Sequence, residues 1–490
     1  MATRVSQKEP APGETPPADD ERWSWGPSFR RGELIAMTLV LATYAFLAAD
    51  AITGGAPLGH DEAVYSLRTM AFADGTTSVS WFWGDQRALG LPWLLQFVFP
   101  LGETAPYLRM TIAAITAAGV LLTWLIGRYL FSPVIGVIGA AGLALTPLWI
   151  AIGTNVWPDG PGAVFGLAAL AILLFASSGR TVSWWALSAV PLTVAATTLR
   201  YGAPLAIGVA GLVILAWRRH LLRTSRPQIL AVALGAAVPV GLIVFTPLLT
   251  ATRSPYEANA GFVDRNAPSI VDGWVGYWDS LGDLLANPAL IALVTGLVVA
   301  GAASRRHRTA VVAVAAIAAL TFAGLASTLH AETRYLAPVL PWLWVVGGVG
   351  LWTLVSALDG RGRRAVAVSS SILLVFPAMA ATDVAVESAK VQFGVLKEAS
   401  ASYAWPGDCV IATSYKPQVG WYSGCIAVDP TENGDGPIDD RATHVMWLLN
   451  GKRQTAAFEE WRTQASPPDA TFGDPSDGSL RYIEVFELTK

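Results

Sequence analysis

Residues 57–75 read PLGHDEAVYSLRTMAFADG and place three ionisable side chains, His60, Asp61 and Glu62, directly after the first apolar run of the chain. Ionisable groups at a membrane face are costly to desolvate and tend to be functional. The alternative is a solvated loop in which Asp61 caps a helix, because the apolar residues that follow have helical spacing. The stretch alone leaves both interpretations open.

The composition is that of an integral membrane protein. Hydrophobic residues make up 53% of the 490 positions and charged residues only 14%, whereas soluble domains have roughly 25% charged residues. The net charge of −3 gives no reason to expect nucleic acid as a partner. The expected partner of most of the surface is therefore the lipid bilayer.

Eleven apolar runs have about the length needed to cross a bilayer, roughly 20 residues. They are residues 34–49, 105–127, 132–151, 160–178, 182–199, 203–217, 228–250, 286–303, 309–328, 336–357 and 365–383. Arginines collect in alternate loops, at Arg128, Arg180, Arg218, Arg219, Arg223, Arg226, Arg305, Arg306, Arg308, Arg361, Arg363 and Arg364. By the positive-inside rule these loops are cytoplasmic, so we expect a multi-pass plasma-membrane protein with its N-terminus inside and its C-terminus outside.

The sequence therefore predicts an α-helical polytopic membrane protein with about 11 transmembrane helices. Residues 1–31 are polar, rich in Pro and Ala, and predict a disordered cytoplasmic tail, followed by a transmembrane domain over residues 32–386. In the first outer loop, residues 60–74 and 86–99 are too short and too mixed to span. The aromatic residues of this loop suit helices at the membrane interface; they are Trp81, Phe82, Trp83, Trp93, Phe97 and Phe99.

After the last span the chain becomes polar, and residues 387–490 predict a small extracytoplasmic α/β domain. Helical spacing over residues 391–403 is followed by short strand patterns at 409–412, 426–428, 444–449 and 482–486. Cys409 and Cys425 flank the first two predicted strands. In an oxidising compartment we expect them to form one disulfide.

Two further polar segments fall on the predicted outer face. Residues 153–162 read GTNVWPDGPG, and Asp159 within them either belongs to an ordinary turn or has a polar role at the mouth of two spans. Residues 330–341 read HAETRYLAPVLP. Arg334 either snorkels to the interface or, with Tyr335 beside it, holds a phosphate by charge-assisted hydrogen bonds.

The order of these motifs resembles that of the C superfamily of integral-membrane glycosyltransferases. The resemblance rests on an Asp-Glu pair in a long first outer loop, an Asp in a short Pro/Gly turn, and an Arg-Tyr-Leu-x-Pro-x-x-Pro run that opens a late span. It covers about residues 33–385. It is nearest to the branch that contains the protein O-mannosyltransferases and the bacterial aminoarabinose transferases that modify lipid A.

The resemblance implies transfer of a sugar from a polyprenyl-phosphate carrier to a glycan, lipid or protein acceptor, on the outer face and with inversion. It implies that Asp61 is the general base, with Glu62 and Asp159 as further catalytic carboxylates. Arg334 and Tyr335 match positions near the carrier phosphate. The remaining candidates are Arg200, within LRYG at 199–202, as a further phosphate ligand, and His60, Tyr65 and His330 as pocket residues.

The chemistry is consistent with these residue types. A glycosyl phosphate already carries a good leaving group, so one carboxylate to deprotonate the acceptor and one or two arginines to neutralise the phosphate are sufficient. Asp61, Glu62, Asp159 and His60 also offer hard ligands for a divalent cation. Their spacing does not require one, so no cofactor is certain and the metal is left unassigned.

A carrier or flippase for lipid-linked sugars is the alternative function. Transporters usually place polar groups at mid-membrane and show broken helices or paired repeats. In this chain the acidic groups gather at one predicted face, and no internal repeat is evident. These features favour the glycosyltransferase.

Overall fold

The computed structural model describes residues 31–75, 88–102, 104–179, 181–200, 202–249, 271–277, 288–303, 308–328, 332–428, 438, 440–448, 456–474 and 482–488. The predicted disordered tail lies outside the described residues, and so do His330 and three of the interfacial aromatics, Trp81, Phe82 and Trp83.

Before residue 357, all the regular secondary structure in the described residues is helical. The helices are α1 (Arg31–Thr53), α2 (His60–Ala73), α3 (Gly90–Leu95), α4 (Ala105–Leu130), α5 (Pro133–Ala144), α6 (Pro147–Thr154), α7 (Asp159–Ala176), α8 (Ala189–Leu199), α9 (Ala203–Trp217), α10 (Leu221–Thr224), α11 (Arg226–Leu249), α12 (Pro288–Ala303), α13 (Arg308–Thr328) and α14 (Leu340–Ser356). Short 3₁₀ helices lie at Phe99–Leu101, Trp184–Ser188 and Thr333–Leu336.

The helices include enough long apolar segments to make this a polytopic membrane protein. Among the described residues, α1, α4, α7, α11 and α13 are long and apolar enough to cross a bilayer, and α5 with α6 forms a sixth candidate bent by 64°. Four further apolar helices are shorter, at Trp184–Leu199, Ala203–Trp217, Ile291–Ala300 and Leu340–Ser356. The polytopic helical class is thereby confirmed, and the figure of 11 spans stays a prediction.

Small residues let α14 lie in close contact with its neighbours. A Cβ atom on Gly350 would lie only 1.8 Å from the carbonyl oxygen of Gly296 in α12, so the two backbones touch. On its other side α14 packs on α5, where the indole of Trp344 donates to Thr146 Oγ1 at 2.8 Å. These contacts fix α14, and with it the 3₁₀ helix Thr333–Leu336 that comes just before.

Two buried polar groups hold the end of the bundle where α1 begins and α4 ends. Glu33 in the first turn of α1 accepts from Arg128 Nε at 2.7 Å and from Trp124 Nε1 at 3.0 Å. At the end of α9, Arg218 is buried and donates to the carbonyl oxygen of Ser177. Since α1 runs from Glu33 towards α2, α2 lies at the opposite end of the bundle.

A very long helix, α15 (Gly360–Ser402), leads into the C-terminal part. Its 43 residues span about 64 Å at 1.5 Å per residue, about twice the roughly 30 Å of a bilayer core. Its last turns, with Leu396 and Ala399 fully buried, pack against Ile411 and Val485 of a sheet. The helix therefore connects the bundle rigidly to that sheet.

The C-terminal sheet has five strands in the order β2-β1-β3-β5-β4. The strands are β1 (Val410–Ala412), β2 (Ile426–Val428), β3 (His444–Leu448), β4 (Ala470–Gly473) and β5 (Tyr482–Glu487), and the helices between them are α16 (Lys416–Ser423) and α17 (Ala456–Gln464). Strands β1, β2 and β3 run parallel, whereas β5 is antiparallel to both β3 and β4.

The four strands expected from the sequence are present, and β4 is an edge strand that the sequence analysis missed. It pairs only with β5 and carries two exposed positions in four residues, so its apolar pattern is short and weak. The predicted disulfide is confirmed: Cys409 and Cys425 are bonded, with 5.2 Å between their Cα atoms.

Candidate active site

The start of α2 is capped by Glu62. The helix has Gly59 as its N-cap, and the backbone N–H of Gly59 donates to Glu62 Oε2 at 3.0 Å. This is the arrangement of a capping box, in which the residue three positions into the helix reaches back to its start. The interpretation of Asp61 as the helix cap is therefore wrong, because Asp61 lies in the first turn and is directed elsewhere.

Glu62 and Arg109 form a buried two-pronged ion pair. Arg109 Nε and Nη2 donate to Glu62 Oε1 and Oε2 at 2.9 and 2.8 Å, and the side chains are only 4% and 2% exposed. Arg109 also donates to the carbonyl oxygens of Ala56 and Pro57, and Glu62 Oε1 accepts from the backbone N–H of Val156. Glu62 thereby ties α2 to α4 and to the turn between α6 and α7.

Asp61 lies against Arg334. The guanidinium Nη2 donates to Asp61 Oδ2 at 2.7 Å and also pairs with Glu332 two residues before it. Arg334 Nε lies 3.9 Å from Asp159 Oδ2, and the guanidinium carbon lies 5.0 Å from the ring centre of Trp157. With 14% of its side chain exposed, Arg334 is held among these groups and does not snorkel to an interface.

Asp159 and Arg200 complete the same cluster. Asp159 begins α7, where the N-terminal end of a helix favours a carboxylate, and its Oδ1 lies 3.0 Å from Arg200 Nε. The guanidinium of Arg200 lies 4.0 Å from the ring centre of Tyr335. Asp61, Asp159, Arg200, Arg334 and Tyr335, from four separate stretches of sequence, therefore meet at one place.

The carboxylates keep Arg334 charged. Burial lowers the pKa of this guanidinium, but attraction to Asp159, Asp61 and Glu332 outweighs burial and leaves the pKa raised. With Arg200, the cluster thus holds two fixed cations among three carboxylates. An anionic ligand can bind these cations by exchanging with the carboxylates that now occupy them.

The carboxylates do not form a metal site as they stand. Asp61 binds Arg334, Glu62 binds Arg109, and Asp159 lies on Arg200. Among the described residues there is no group of three or more His, Cys, Asp or Glu side chains that could hold a metal ion. In this arrangement the three carboxylates therefore each face an arginine, and the metal stays unassigned.

A narrow apolar slot of about 40 Å³ begins at the cluster. Asp159, Arg200 and Tyr335 lie at its polar end, and its walls come from α7, α9, α13 and α14. The α7 and α9 walls carry small side chains at Gly162, Ala163, Gly166, Ala203 and Ala206. The slot thus extends from Asp159 and Arg200 into the interior of the helix bundle.

A wider cavity of about 430 Å³ lies on the Glu62 side of the cluster. It is lined by Glu62, Arg109 and Trp157 at one end and by apolar residues of α6 and α15 at the other. Trp157 separates this cavity from Arg334. The cluster therefore has one cavity on each side.

Three further residues, His60, Tyr65 and His330, were predicted to line the pocket. His60 begins α2, and Tyr65 is buried in an apolar cluster that includes Leu91, Leu95 and Phe99. Tyr65 also lies close enough to Arg200 to interact with its charge. His330 lies outside the described residues.

The sequence analysis did not single out Arg109, Glu332 or Trp157. Arg109 lies five residues into the predicted span 105–127, and an arginine inside an apolar run was a signal that could have identified it. Glu332 comes two residues before Arg334 in the quoted stretch. Trp157 precedes Asp159 by two residues, but only the fold brings it to Arg334.

Comparison with known proteins agrees with the resemblance noted in the sequence. Residues 86–248 match the family model of dolichyl-phosphate-mannose-protein mannosyltransferases. Among solved structures, ArnT from Cupriavidus metallidurans bound to undecaprenyl phosphate is similar over 93% of this chain and 97% of its own, at 15% identity and a TM-score of 0.63. No curated protein matches the sequence.

Archaeal oligosaccharyltransferase structures are also similar. AglB from Archaeoglobus fulgidus, in complex with an inhibitory peptide and a dolichol-phosphate, covers 85% of this chain and 70% of its own at 13% identity, with a TM-score of 0.54. The Archaeoglobus fulgidus oligosaccharyltransferase in complex with Zn and sulfate covers 90% and 73% at 13% identity, with a TM-score of 0.53. The chain thus has the fold of the C superfamily of integral-membrane glycosyltransferases, and the resemblance seen in the sequence is confirmed.

Proposed function

We propose that this chain is an inverting glycosyltransferase that moves a sugar from a polyprenyl-phosphate-linked donor to an envelope acceptor, on the outer face of the plasma membrane. The observation that carries the proposal is the meeting of Asp61, Asp159, Arg200, Arg334 and Tyr335 in one cluster, of which Asp159, Arg200 and Tyr335 line one end of an apolar slot. One carboxylate, two cations and an apolar channel are what an acceptor hydroxyl, a phosphate and a prenyl chain require. The acceptor is a glycan, a lipid or a protein.

The donor binds with its phosphate at the arginines and its chain in the slot. Arg334 and Arg200 supply charge-assisted hydrogen bonds, and the planar guanidinium matches two phosphate oxygens. The slot of about 40 Å³ is smaller than an isoprenoid chain, so we expect α7 and α9, with their small side chains, to move apart when the chain enters. In the similar proteins, the lipid present is undecaprenyl phosphate for ArnT and dolichol-phosphate for AglB.

Asp61 acts as the general base. It takes the proton of the acceptor hydroxyl as that oxygen attacks the anomeric carbon from the face opposite the phosphate. The bond between the anomeric carbon and the phosphate oxygen breaks, and the polyprenyl phosphate leaves with the electron pair, which Arg334 and Arg200 stabilise. The scheme is written without a metal ion, because one carboxylate and two arginines account for the proton and the charge of the leaving group.

Binding of the donor prepares the base. In the free protein Arg334 donates to Asp61 at 2.7 Å, and a carboxylate that accepts from a guanidinium is a weak base. An arriving phosphate competes for the same guanidinium. Donor binding therefore releases Asp61 for the acceptor, so we expect the donor to bind first.

Glu62 has a positioning role in this scheme. Both of its oxygens accept from Arg109, and it is 2% exposed although it borders the wider cavity, so a substrate hydroxyl would have to displace Arg109. Its bonds to Gly59 and Val156 hold the segments that carry Asp61 and Asp159. We therefore propose that Glu62 orients the catalytic carboxylates and does not touch the substrate.

Mass spectrometry of envelope glycolipids and glycoproteins tests the proposed activity. Cells without the gene, and cells that carry only Asp61→Asn, should lack one glycosylated species and accumulate the lipid-linked sugar. A carrier or flippase would give a different result: the Asp61→Asn protein would restore the missing species. In that case the transferase proposal is wrong.

A further inference from the structure

The four residues that lead into α2 are held by side chains from three places. Arg109 of α4 binds the carbonyl oxygens of Ala56 and Pro57, and Glu62 of α2 binds the N–H of Gly59. The N–H of Leu58 donates to the hydroxyl oxygen of Tyr422 at 2.7 Å. Tyr422 belongs to α16, in the C-terminal sheet region, 364 residues away in sequence.

This hydrogen bond is part of a packed interface between α16 and α2. Gly420 faces α2, and an added Cβ there would make ordinary van der Waals contact with Leu67 Cδ1 at 3.6 Å. Trp421 packs against the apolar cluster that contains Tyr65 of α2. Leu58 itself is fully buried, so its N–H depends on Tyr422 for a partner.

The disulfide also restrains α16. Cys409 precedes β1 and Cys425 precedes β2, so their bond closes the loop that contains α16. The N–H of Ile426 also donates to the carbonyl oxygen of Cys409 at 3.1 Å. The helix ends at Gly424, whose φ of +73° is one that glycine adopts readily. The loop is therefore a stapled unit that presents Tyr422 to the bundle.

We propose that Tyr422 is a positioning residue for Asp61, and that the C-terminal region is a working part of the catalytic unit. This rests on the proposed function of Asp61 as the base. Asp61 lies three residues after Leu58, in the first turn of the helix whose lead-in Tyr422 holds. A shift of the lead-in moves the carboxylate relative to the anomeric carbon, and a displacement of about 1 Å can cost on the order of 100-fold in rate.

Tyr422→Phe removes the hydroxyl and keeps the ring. The matched control is Tyr482→Phe, since the Tyr482 hydroxyl also makes one hydrogen bond, to Glu484, but lies on β5 away from α2. Both full-length proteins are placed in lipid nanodiscs. We expect Tyr422→Phe to lower kcat about tenfold, which is less than the effect expected for a displacement of Asp61 by about 1 Å. Binding of farnesyl phosphate should be unchanged. Tyr482→Phe should leave both quantities unchanged.

Hydrogen exchange of the Leu58 amide reads the contact without any assay of activity. Exchange should be faster in Tyr422→Phe and unchanged in Tyr482→Phe. If the exchange effect appears but the wild-type protein transfers no sugar, the hydrogen bond between Tyr422 and Leu58 is confirmed and the proposed function is wrong.

Three results would overturn the positioning role. They are wild-type kcat in Tyr422→Phe, an unchanged Leu58 amide in that variant, and equal losses of kcat in Tyr422→Phe and Tyr482→Phe. The last would assign the effect to general stability of the C-terminal sheet.

Discussion

Arg334 and Asp61 lie 273 residues apart in sequence, yet the guanidinium donates to the carboxylate at 2.7 Å. The contact joins the first turn of α2 to the segment that opens α14. In the proposed mechanism one arginine serves both substrates, because the guanidinium that binds Asp61 in the free protein is then offered to the donor phosphate. The predictions below test this arrangement and the parts of the fold that support it.

Asp61→Asn should lower turnover by about 100-fold or more, the usual scale for loss of a general base. The amide keeps the shape of the side chain, so binding of farnesyl phosphate should not fall. Asp74→Asn is the matched control, because Asp74 lies exposed at the other end of α2. If Asp61→Asn turns over normally while Asp159→Asn does not, the role of base moves to Asp159.

Arg334→Lys should raise the KM for the lipid-linked donor by about tenfold or more, as expected when a hydrogen bond to a charged group worth roughly 1.5–3 kcal/mol is lost. Lysine keeps the charge but has no planar fork for two phosphate oxygens. Arg223→Lys, at an exposed arginine of α10, should leave the KM unchanged. If Arg334→Ala used the donor as well as the wild-type protein, Arg334 would have no part in phosphate binding.

Glu62→Gln should lower the free energy of unfolding by roughly 3–5 kcal/mol, because it leaves the buried Arg109 cation without its partner. The exposed pair Glu387–Lys390 of α15, at 2.7 Å, provides the comparison. Glu387→Gln should cost less than roughly 1 kcal/mol. Denaturant titration in detergent measures both, and a Glu62→Gln protein that lost turnover while keeping full stability would make Glu62 a catalytic group.

Reduction of the Cys409–Cys425 bond should destabilise the C-terminal sheet by about 3 kcal/mol, the scale for a loop of about 15 residues. The chain has only 2 cysteines, so a reductant changes no other disulfide. Thermal unfolding with and without reductant gives the measurement. An unchanged unfolding temperature would mean that α16 and the sheet hold the loop without the covalent bond.

Reporters fused to the two ends of the chain test the predicted orientation. A reporter after residue 490 that works only outside the cytoplasm should be active, and the same reporter before residue 1 should be inactive, since the arginine-rich loops are expected inside. Activity of a strictly cytoplasmic reporter after residue 490 would move the C-terminal region inside. The proposal of transfer on the outer face would then fail.

Local patterns in the sequence predicted several elements with nearly the observed bounds. The run at 105–127 lies within α4, and the strand pattern at 426–428 matches β2. Such elements are predictable because hydrophobic length and periodicity are properties of neighbouring residues. The bend between α5 and α6 was missed, although Pro147, which starts α6, disfavours a helical residue before it.

The roles within the Asp-Glu pair could be predicted only in part. The sequence marked both Asp61 and Glu62 as candidates, and helix geometry indicated that adjacent side chains point in different directions. Arg109 decides which of the two faces the cluster, because its position in α4 places it against Glu62. That contact depends on how α2 packs on α4, which no local pattern contains.

The sequence by itself determined that this chain is a membrane protein, which segments are apolar and which side chains are candidates for the chemistry, because these follow from composition and short-range spacing. Only the tertiary structure decided that Arg334 binds Asp61, that Arg200 binds Asp159 and that Tyr422 reaches Leu58. The physical reason is that ion pairs and hydrogen bonds act over about 3 Å. Residues hundreds of positions apart come that close only where close-packed helices cross, and those crossings are fixed by the side chains of the whole bundle.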